Sequence, residues 1–384
     1  MAKRIAILGS TGSIGTNALD VIEHLGPDYR VTALSAHSQS DKLLEQVARH
    51  RPRAVAVTDP KAMKAVRSGL GGSSPDVYSD LAEMVRRDDI DLVIAAVVGA
   101  AGLPAVFAAV ESGKTLALAN KESLVVAGSI LIPLARKHNV AILPVDSEHS
   151  AIFQALHCGQ PREVKRLILT ASGGPFRTSP AEKIENATLA DALNHPTWRM
   201  GNKITIDSAS MFNKGLELIE ACWLFDVPPE KVQVVVHPES IVHSMVEFVD
   251  GSVIAQLSPP DMRTPIQYAL TYPQRRHGIG RTLDLSRRFS LNFEPPDLKR
   301  FPALRLAYEV AAKRDTTAGA VMNAANEIAV AAFIAGRIRF GMISRLVELT
   351  MQNCPPIEQP GLDDLLAADR EARVKAEELM RNDQ

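Results

Sequence analysis
The residues of this sequence best equipped for chemistry stand in short polar turns behind apolar runs. Asp146-Ser147-Glu148 sets two carboxylates two positions apart, a spacing that in an extended or turn segment can aim both at one hard cation such as Mg2+ or Mn2+. The same residues suit a plainer role: Ser147 can cap the helix that Ile152 and Leu156 outline, with Glu148 favourable in its first turn. In the segment Asp207 to Glu217, expected to follow a strand and enter a helix, Asn213, Lys214 and Glu217 fall on one polar face. Phe212, Leu216, Ile219 and Trp223 lie opposite. These polar residues can join the metal, or Lys214 and Glu217 can form only a surface pair. Spacing does not choose between Glu217 and Glu220, one helical turn away.

Glycine turns supply the complementary anion chemistry. Gly9-Ser10-Thr11-Gly12-Ser13-Ile14-Gly15 follows a strand-like run and opens a helical pattern, so backbone N–H groups and the positive helix end face whatever anion sits there. That is the setting of a dinucleotide pyrophosphate. At the end of the second strand the chain reads Leu34-Ser35-Ala36-His37-Ser38-Gln39-Ser40, without the carboxylate that usually holds the ribose 2'-hydroxyl of NADH. His37, Ser38 and Gln39 can donate to a 2'-phosphate, which favours NADPH; Asp41 argues the other way. Ser172-Gly173-Gly174 is a second such turn, where consecutive N–H groups can converge on a phosphate. One phosphate group then belongs to NADPH and the other to a substrate held by Ser172, Ser208, Asn213 and Lys214. A phosphorylated sugar is expected.

The elements that must position these groups are legible in outline. The fold class read from the pattern is α/β, with an N-terminal Rossmann-like doubly wound parallel sheet, a mixed α/β catalytic domain and a C-terminal helical domain. Buried strands near Ile5, Val31, Ala54, Leu92, Thr115 and Val140 alternate with helical patterns, the first helix burying Ile14, Ala18, Ile22 and Leu25. Gly99, Asn120-Lys121-Glu122 and Asp146-Ser147-Glu148 then stand at carboxyl ends of strands, where ligands of open α/β sheets bind. In the second domain strands are expected at Val164 to Leu169, Lys203 to Ile206, Val232 to Val236, Ile241 to Phe248 and Val253 to Leu257. Asp250-Gly251 joins the last two as a hairpin. The expected boundaries are 1–146 for the NADPH-binding domain, 147–272 for the catalytic domain, 273–300 for a linker and 301–384 for the helical domain.

Composition excludes other classes. A chain of 384 residues, 46% hydrophobic and 23% charged, has the make-up of a globular protein of two or three domains. Its formal net charge of -1, with no basic stripe, gives no footprint for nucleic acid or an anionic membrane. Leu92 to Val110 carries no charge, but Gly99, Gly102 and Pro104 divide it, so a buried strand and a packed helix are expected rather than a membrane span. Strand-like sequence from Ile5 leaves little room for a signal peptide, and Cys158, Cys222 and Cys354 occur in no Cys-x-x-Cys spacing, so a cytoplasmic protein without disulfides is expected.

With Gly9-Ser-Thr-Gly-Ser-Ile-Gly15, Ala119-Asn-Lys-Glu-Ser123, Val145-Asp-Ser-Glu-His149, Leu169-Thr-Ala-Ser-Gly-Gly-Pro-Phe176, His195-Pro-Thr-Trp-Arg-Met-Gly201, Asn213-Lys-Gly-Leu-Glu217 and Asp261-Met-Arg-Thr-Pro265 in this order, the sequence closely resembles the 1-deoxy-D-xylulose 5-phosphate reductoisomerases. The resemblance implies an NADPH- and metal-dependent homodimer that rearranges and then reduces 1-deoxy-D-xylulose 5-phosphate to 2-C-methyl-D-erythritol 4-phosphate. It also implies roles: Asp146, Glu148 and Glu217 as metal ligands, leaving Glu220 a bystander, and Ser147 and Lys121 as substrate contacts. Ser172, Ser208, Asn213 and Lys214 become phosphate and hydroxyl contacts, with His195 on the substrate and Trp198 in a covering loop. Thr11, Gly12, Ser13, Ile14, Asn120, Glu122 and Gly201 become NADPH contacts. Where family members often have Gly-Lys-Asn after the second strand, this chain has His37-Ser38-Gln39. Two rivals are a semialdehyde dehydrogenase, which needs an activated thiolate, and a cofactor-binding regulator without turnover.

Overall fold
A computed structural model of the chain describes residues 2–71, 75–286 and 288–382. Contacts divide it into two compact units, the first made of Met1–Ser123, Leu131–Ser150 and Asp261–Arg281. Its strands are β1 (Lys3–Leu8), β2 (Tyr29–Ala36), β3 (Ala54–Val57), β4 (Asp76–Tyr78), β5 (Leu92–Ala95), β6 (Thr115–Leu118) and β7 (Ile142–Pro144). They form one sheet in the order β4-β3-β2-β1-β5-β6-β7, every neighbouring pair parallel. The order reverses at β1, so a crevice opens at the carboxyl ends of β1 and β5, the place where open α/β sheets take their ligands.

Central strands of such a sheet are covered on both faces, which is why Ile5 to Leu8 and Leu92 to Ala95 are buried without alternation. β4 leaves no apolar run for a sequence pattern to show, since at this sheet edge Asp76 is exposed and Val77 and Tyr78 are half-buried. The uncharged stretch Leu92 to Val110 resolves into β5 and the helix Leu103–Glu111, and no described helix is long and apolar enough to cross a membrane. In the helix Ser13–Leu25, Ala18 and Ile22 are buried as expected, with Ile14 and Leu25 half-buried towards the ends. The helix Arg263–Thr271 packs against it, and Lys3 Nζ donates to the Leu270 carbonyl at 2.7 Å, so this stretch belongs to the first unit.

The second unit comprises Leu124–Ile130, Ala151–Pro260 and Thr282–Gln384. Its strands are β8 (Val164–Ala171), β9 (Val232–Val236), β10 (Val242–Phe248) and β11 (Val253–Leu257), ordered β11-β10-β8-β9. β10 pairs antiparallel with β8 and β11, whereas β8 and β9 are parallel. The hairpin expected at Asp250-Gly251 is present, with Gly251 at φ 88°. Beyond Phe301 the chain is helical, in Pro302–Ala312, Ala318–Ile334, Met342–Asn353 and Leu362–Asn382.

One expected strand is a helix. Lys203 to Ile206 lies within the helix Asn202–Ala209. Four alternating residues cannot separate a strand from a short helix, and bonds one helical turn apart decide the matter here. Thr205 Oγ1 donates to the Gly201 carbonyl at 2.9 Å, and Lys203 Nζ meets Asp207 Oδ2 at 2.7 Å. The segment leading to Glu217 therefore enters its helix Phe212–Leu224 from another helix, through a corner at Met211 with φ 66°.

Candidate active site
The first glycine turn is built from both ends. Gly9 has φ +81°, and a Cβ there would lie 2.7 Å from the Ala96 carbonyl oxygen behind β5; a Cβ on Gly15 would lie 2.4 Å from the Gly9 oxygen. Neither position admits a side chain while strand, turn and helix keep this approach. Gly9 N donates to Ser35 Oγ at 2.9 Å and Ser10 N to the Ser35 carbonyl at 2.8 Å, which ties the turn to β2. No side chain caps the helix Ser13–Leu25 at Gly12, so its first N–H groups suit an anion, and Thr11, Gly12, Ser13 and Ile14 all lie in this stretch. His37, exposed just past β2, places Nδ1 2.8 Å from Thr58 Oγ1 at the end of β3. Thr58 went unremarked in the sequence, although its place at a strand's carboxyl end could have flagged it.

The loop after β6 carries Asn120, Lys121 and Glu122, all buried. Asn120 is a brace: its Nδ2 donates to the carbonyls of Val97 and Gly99 at 2.5 and 2.9 Å and to Glu122 Oε2 at 3.1 Å, fastening the loop after β5. Lys121 Nζ pairs with Asp146 Oδ2 at 2.5 Å, the lysine side chain only 7% exposed. In the following turn Ser147 donates its hydroxyl to Glu148 Oε2 at 2.6 Å, while the Asp146 carbonyl accepts the first helical bond, from Ser150 N, at 2.8 Å. Asp146 and Glu148 thus hold carboxylate oxygens, compensated in part by the Lys121 ammonium and the Ser147 hydroxyl, at the carboxyl end of β7.

In the second unit, β8 ends in Ser172-Gly173-Gly174, where both glycines take positive φ, 81° and 66°. Gly174 N donates to Ser172 Oγ at 3.2 Å, which folds the turn back onto its own serine. His195 joins the turn to the helix Asn202–Ala209. Its Nε2 lies 3.0 Å from Ser172 Oγ and 3.1 Å from Ser208 Oγ, and its Nδ1 accepts from Thr197 N at 3.3 Å and Trp198 N at 3.0 Å. A nitrogen that accepts backbone N–H groups carries no proton, so the ring is neutral with its hydrogen on Nε2. Burial favours that form by lowering the pKa. Because Nε2–H donates to the two hydroxyls, their own protons are left to donate to an anion. Gly201 caps the helix behind, and Trp198 lies beside His243, ring centroids 6.0 Å apart.

Farther along, Asn213 Nδ2 and Lys214 Nζ both donate to the carboxylate of Glu217, which is completely buried. These three sequence-nominated residues do share one helix face. The thiols fit no nucleophile: burial pushes the Cys222 thiol up to about 12 and raises that of Cys354, while Cys158 is exposed. A thiolate-dependent dehydrogenase loses its support.

Comparison with known proteins identifies the family. Three family models match in order: 1-deoxy-D-xylulose 5-phosphate reductoisomerase over residues 5–128, its C-terminal domain over 142–225, and the DXP reductoisomerase C-terminal domain over 257–375. The 1-deoxy-D-xylulose 5-phosphate reductoisomerase of Pelodictyon phaeoclathratiforme is 51% identical over 381 residues, covering 98% of this chain and 100% of that one. That of Chlorobaculum tepidum is 51% identical over 382 residues, with the same coverage. The structure of the Zymomonas mobilis enzyme in complex with NADPH superposes with a TM-score of 0.91 at 44% identity, covering 99% of both chains. A DOX-P reductoisomerase crystallised with NADPH, fosmidomycin and magnesium superposes at 0.92 with 41% identity, over 99% of this chain and 98% of that one. Half-identity from end to end, spanning both units and every polar turn described above, leaves one conclusion: the chain belongs to the 1-deoxy-D-xylulose 5-phosphate reductoisomerase family.

Proposed function
We propose that the protein is an NADPH-dependent oxidoreductase with an isomerase step. It converts 1-deoxy-D-xylulose 5-phosphate into 2-C-methyl-D-erythritol 4-phosphate in non-mevalonate isoprenoid synthesis. The observation that carries this reading is the 51% identity over 98% of the chain to an enzyme of that name. Asp146, Glu148 and Glu217 hold a divalent cation, Mg2+ or Mn2+; oxygen-only donors suit a hard ion, and Lys121 and Lys214 now neutralise two of the three carboxylates. When bound, the cation supplies Lewis-acid polarisation of the substrate's oxygens, and NADPH supplies hydride.

The chain's own residues do the rest. Thr11 to Ile14 hold the dinucleotide pyrophosphate on uncapped N–H groups, with Asn120, Glu122 and Gly201 as further cofactor contacts. Ser172, Ser208, Asn213 and Lys214 bind the substrate's phosphate and hydroxyls, and His195 keeps the two serine hydroxyls turned outward as donors. Ser147 and Lys121 orient the sugar, Lys121 steadying negative charge on oxygen. Trp198 belongs to a segment that covers the substrate and excludes water. Residues 1–146 serve as the NADPH-binding domain, on which the helix Arg263–Thr271 packs, the rest of 147–272 as the catalytic domain, 273–300 as a linker and 301–384 as the closing helical domain. The protein works in the cytoplasm as a homodimer, an assignment supported by its sparse, unpaired cysteines and its family.

The test is an assay with 1-deoxy-D-xylulose 5-phosphate, NADPH and Mn2+, followed by NADPH absorbance. Metal-dependent oxidation, abolished in Glu148→Gln, is expected. Activity that survives thorough metal removal, or is undiminished in that variant, refutes the assignment.

A further inference from the structure
Asp207 is a buried carboxylate that the reaction does not use. It is only 2% exposed and stands directly before Ser208 in the helix Asn202–Ala209. Removing a carboxylate from water is unfavourable unless it is paired and hydrogen-bonded, and Asp207 meets both conditions. Oδ2 meets Lys203 Nζ at 2.7 Å, one helical turn back, and Oδ1 accepts from Asn326 Nδ2 at 2.9 Å. Asn326 comes from a different part of the chain, the alanine-rich helix Ala318–Ile334, and is completely buried.

Apolar burial is the rule along this helix. Around Asn326 that helix buries Ala324, Ala325, Ala329 and Ala332, any of which shows what an apolar contact there would use. A carboxylate accepts only, so the amide nitrogen of Asn326 must face it, and no donor among the described residues reaches the amide oxygen left over. The arrangement thus keeps a charge and an unsatisfied oxygen in the interior to make one directional bond. That bond locks the last turn of the helix Asn202–Ala209, which forms a wall of the phosphate turn. A Cβ on Gly174 would lie 2.8 Å from the Ser208 carbonyl oxygen, and Ser208 Oγ lies 3.1 Å from His195 Nε2.

We infer that Asp207, tethered to Asn326 of the C-terminal helical region, is a positioning residue that sets Ser208 against the Ser172-Gly173-Gly174 turn for binding the substrate's phosphate group. The inference rests on the reading of Ser172 and Ser208 as phosphate contacts. A charge-assisted bond fixes the rotation of the helix about its own axis, which apolar contacts alone leave softer.

The experiment is a double-mutant cycle on the full-length enzyme with NADPH and Mg2+, reading KM and kcat, with calorimetric titration of 1-deoxy-D-xylulose 5-phosphate and of its unphosphorylated sugar. Asn326→Ala should weaken binding of the phosphorylated substrate by roughly tenfold, the scale of one hydrogen bond to a charged group, with the unphosphorylated sugar unaffected. In a Ser208→Ala background the same change should add little, because the group it positions is gone. The exchange Asp207→Asn with Asn326→Asp keeps one carboxylate and one amide across the helices and should restore affinity lost in Asp207→Asn alone. An undiminished effect in the Ser208→Ala background, or a loss of thermal stability with KM unchanged, overturns the positioning role. If Ser208→Ala itself leaves phosphate affinity intact, the underlying phosphate-site reading fails instead.

Discussion
His195 performs two tasks with two nitrogens, and amide side chains can separate them. Nε2 donates to Ser172 and Ser208, and Nδ1 accepts from Thr197 and Trp198. Asparagine reaches about as far as Nδ1, and glutamine about as far as Nε2. In His195→Asn the amide oxygen can still take the two backbone N–H groups, but nothing donates to the serines. In His195→Gln the reverse holds. Net values of about 0.5–1.5 kcal/mol per hydrogen bond put the lost serine bond near 1 kcal/mol, or roughly fivefold in KM for the phosphorylated substrate. His195→Ala loses both sets, about 2 kcal/mol after allowing for water at this half-buried site, or roughly thirtyfold. Steady-state kinetics should therefore rank KM as wild type, Gln, Asn, Ala. Fluorescence anisotropy of Trp198, with Trp223→Phe removing the other tryptophan, should report a looser segment in Gln than in Asn. Equal KM values for Asn and Gln would refute the division of labour. Acid should act on one task alone: a proton on Nδ1 ends its acceptance from Thr197 and Trp198, while Nε2–H goes on donating to the serines. Above the ordinary imidazole pKa of 6.5 the ring is neutral folded or unfolded; as pH falls below it, the unfolded chain takes a proton that the buried ring resists. Stability from this site then declines until the lowered pKa of the folded state is passed, and the Trp198 anchorage is lost as the folded ring itself takes the proton.

Three further outcomes follow from named contacts. Gly174→Ala forces a Cβ to within 2.8 Å of the Ser208 carbonyl oxygen at a φ of +66°, and should cost about 2 kcal/mol in denaturant unfolding while raising KM; an unchanged midpoint and KM would contradict the geometry. A variant with all three cysteines replaced by alanine or serine should keep its turnover number, and a collapse in kcat with an intact fold would revive a thiol mechanism. The Asp91 carboxyl is held below its usual range first by its hydrogen bond with Arg4, so the contact stabilises the fold above the ordinary aspartate pKa and is lost as pH falls through the depressed value. Thermal melts of wild type and Arg4→Met should differ near neutral pH and converge in strong acid, and a constant difference would exclude this linkage.

Much of the fold was legible because it depends on short-range pattern. Ile5 to Leu8 is apolar without alternation because a central parallel strand is covered on both faces, and the glycines after it are needed wherever strand, turn and helix approach closely. The face of Asn213, Lys214 and Glu217 could be drawn from helical spacing alone, and their hydrogen bonds follow it. The same local view misread Lys203 to Ile206 as a strand, since alternation over four residues does not distinguish it from one turn of helix, and it passed over β4, which is too short to show a period.

What tertiary structure alone decided are the pairings between segments with no local trace of one another. His195 Nε2 meets Ser172 and Ser208, 23 and 13 residues away, whereas its Nδ1 takes only the neighbouring N–H groups of Thr197 and Trp198. Asp207 finds Asn326 119 residues away, in a helix whose sequence reads as a plain alanine-rich core element. A buried charge must find a partner, but Coulomb's law places no condition on where in the chain that partner lies. Residue types and spacing thus determined which chemistry this protein is able to host, and folding decided which donor each carboxylate, ring and hydroxyl would meet.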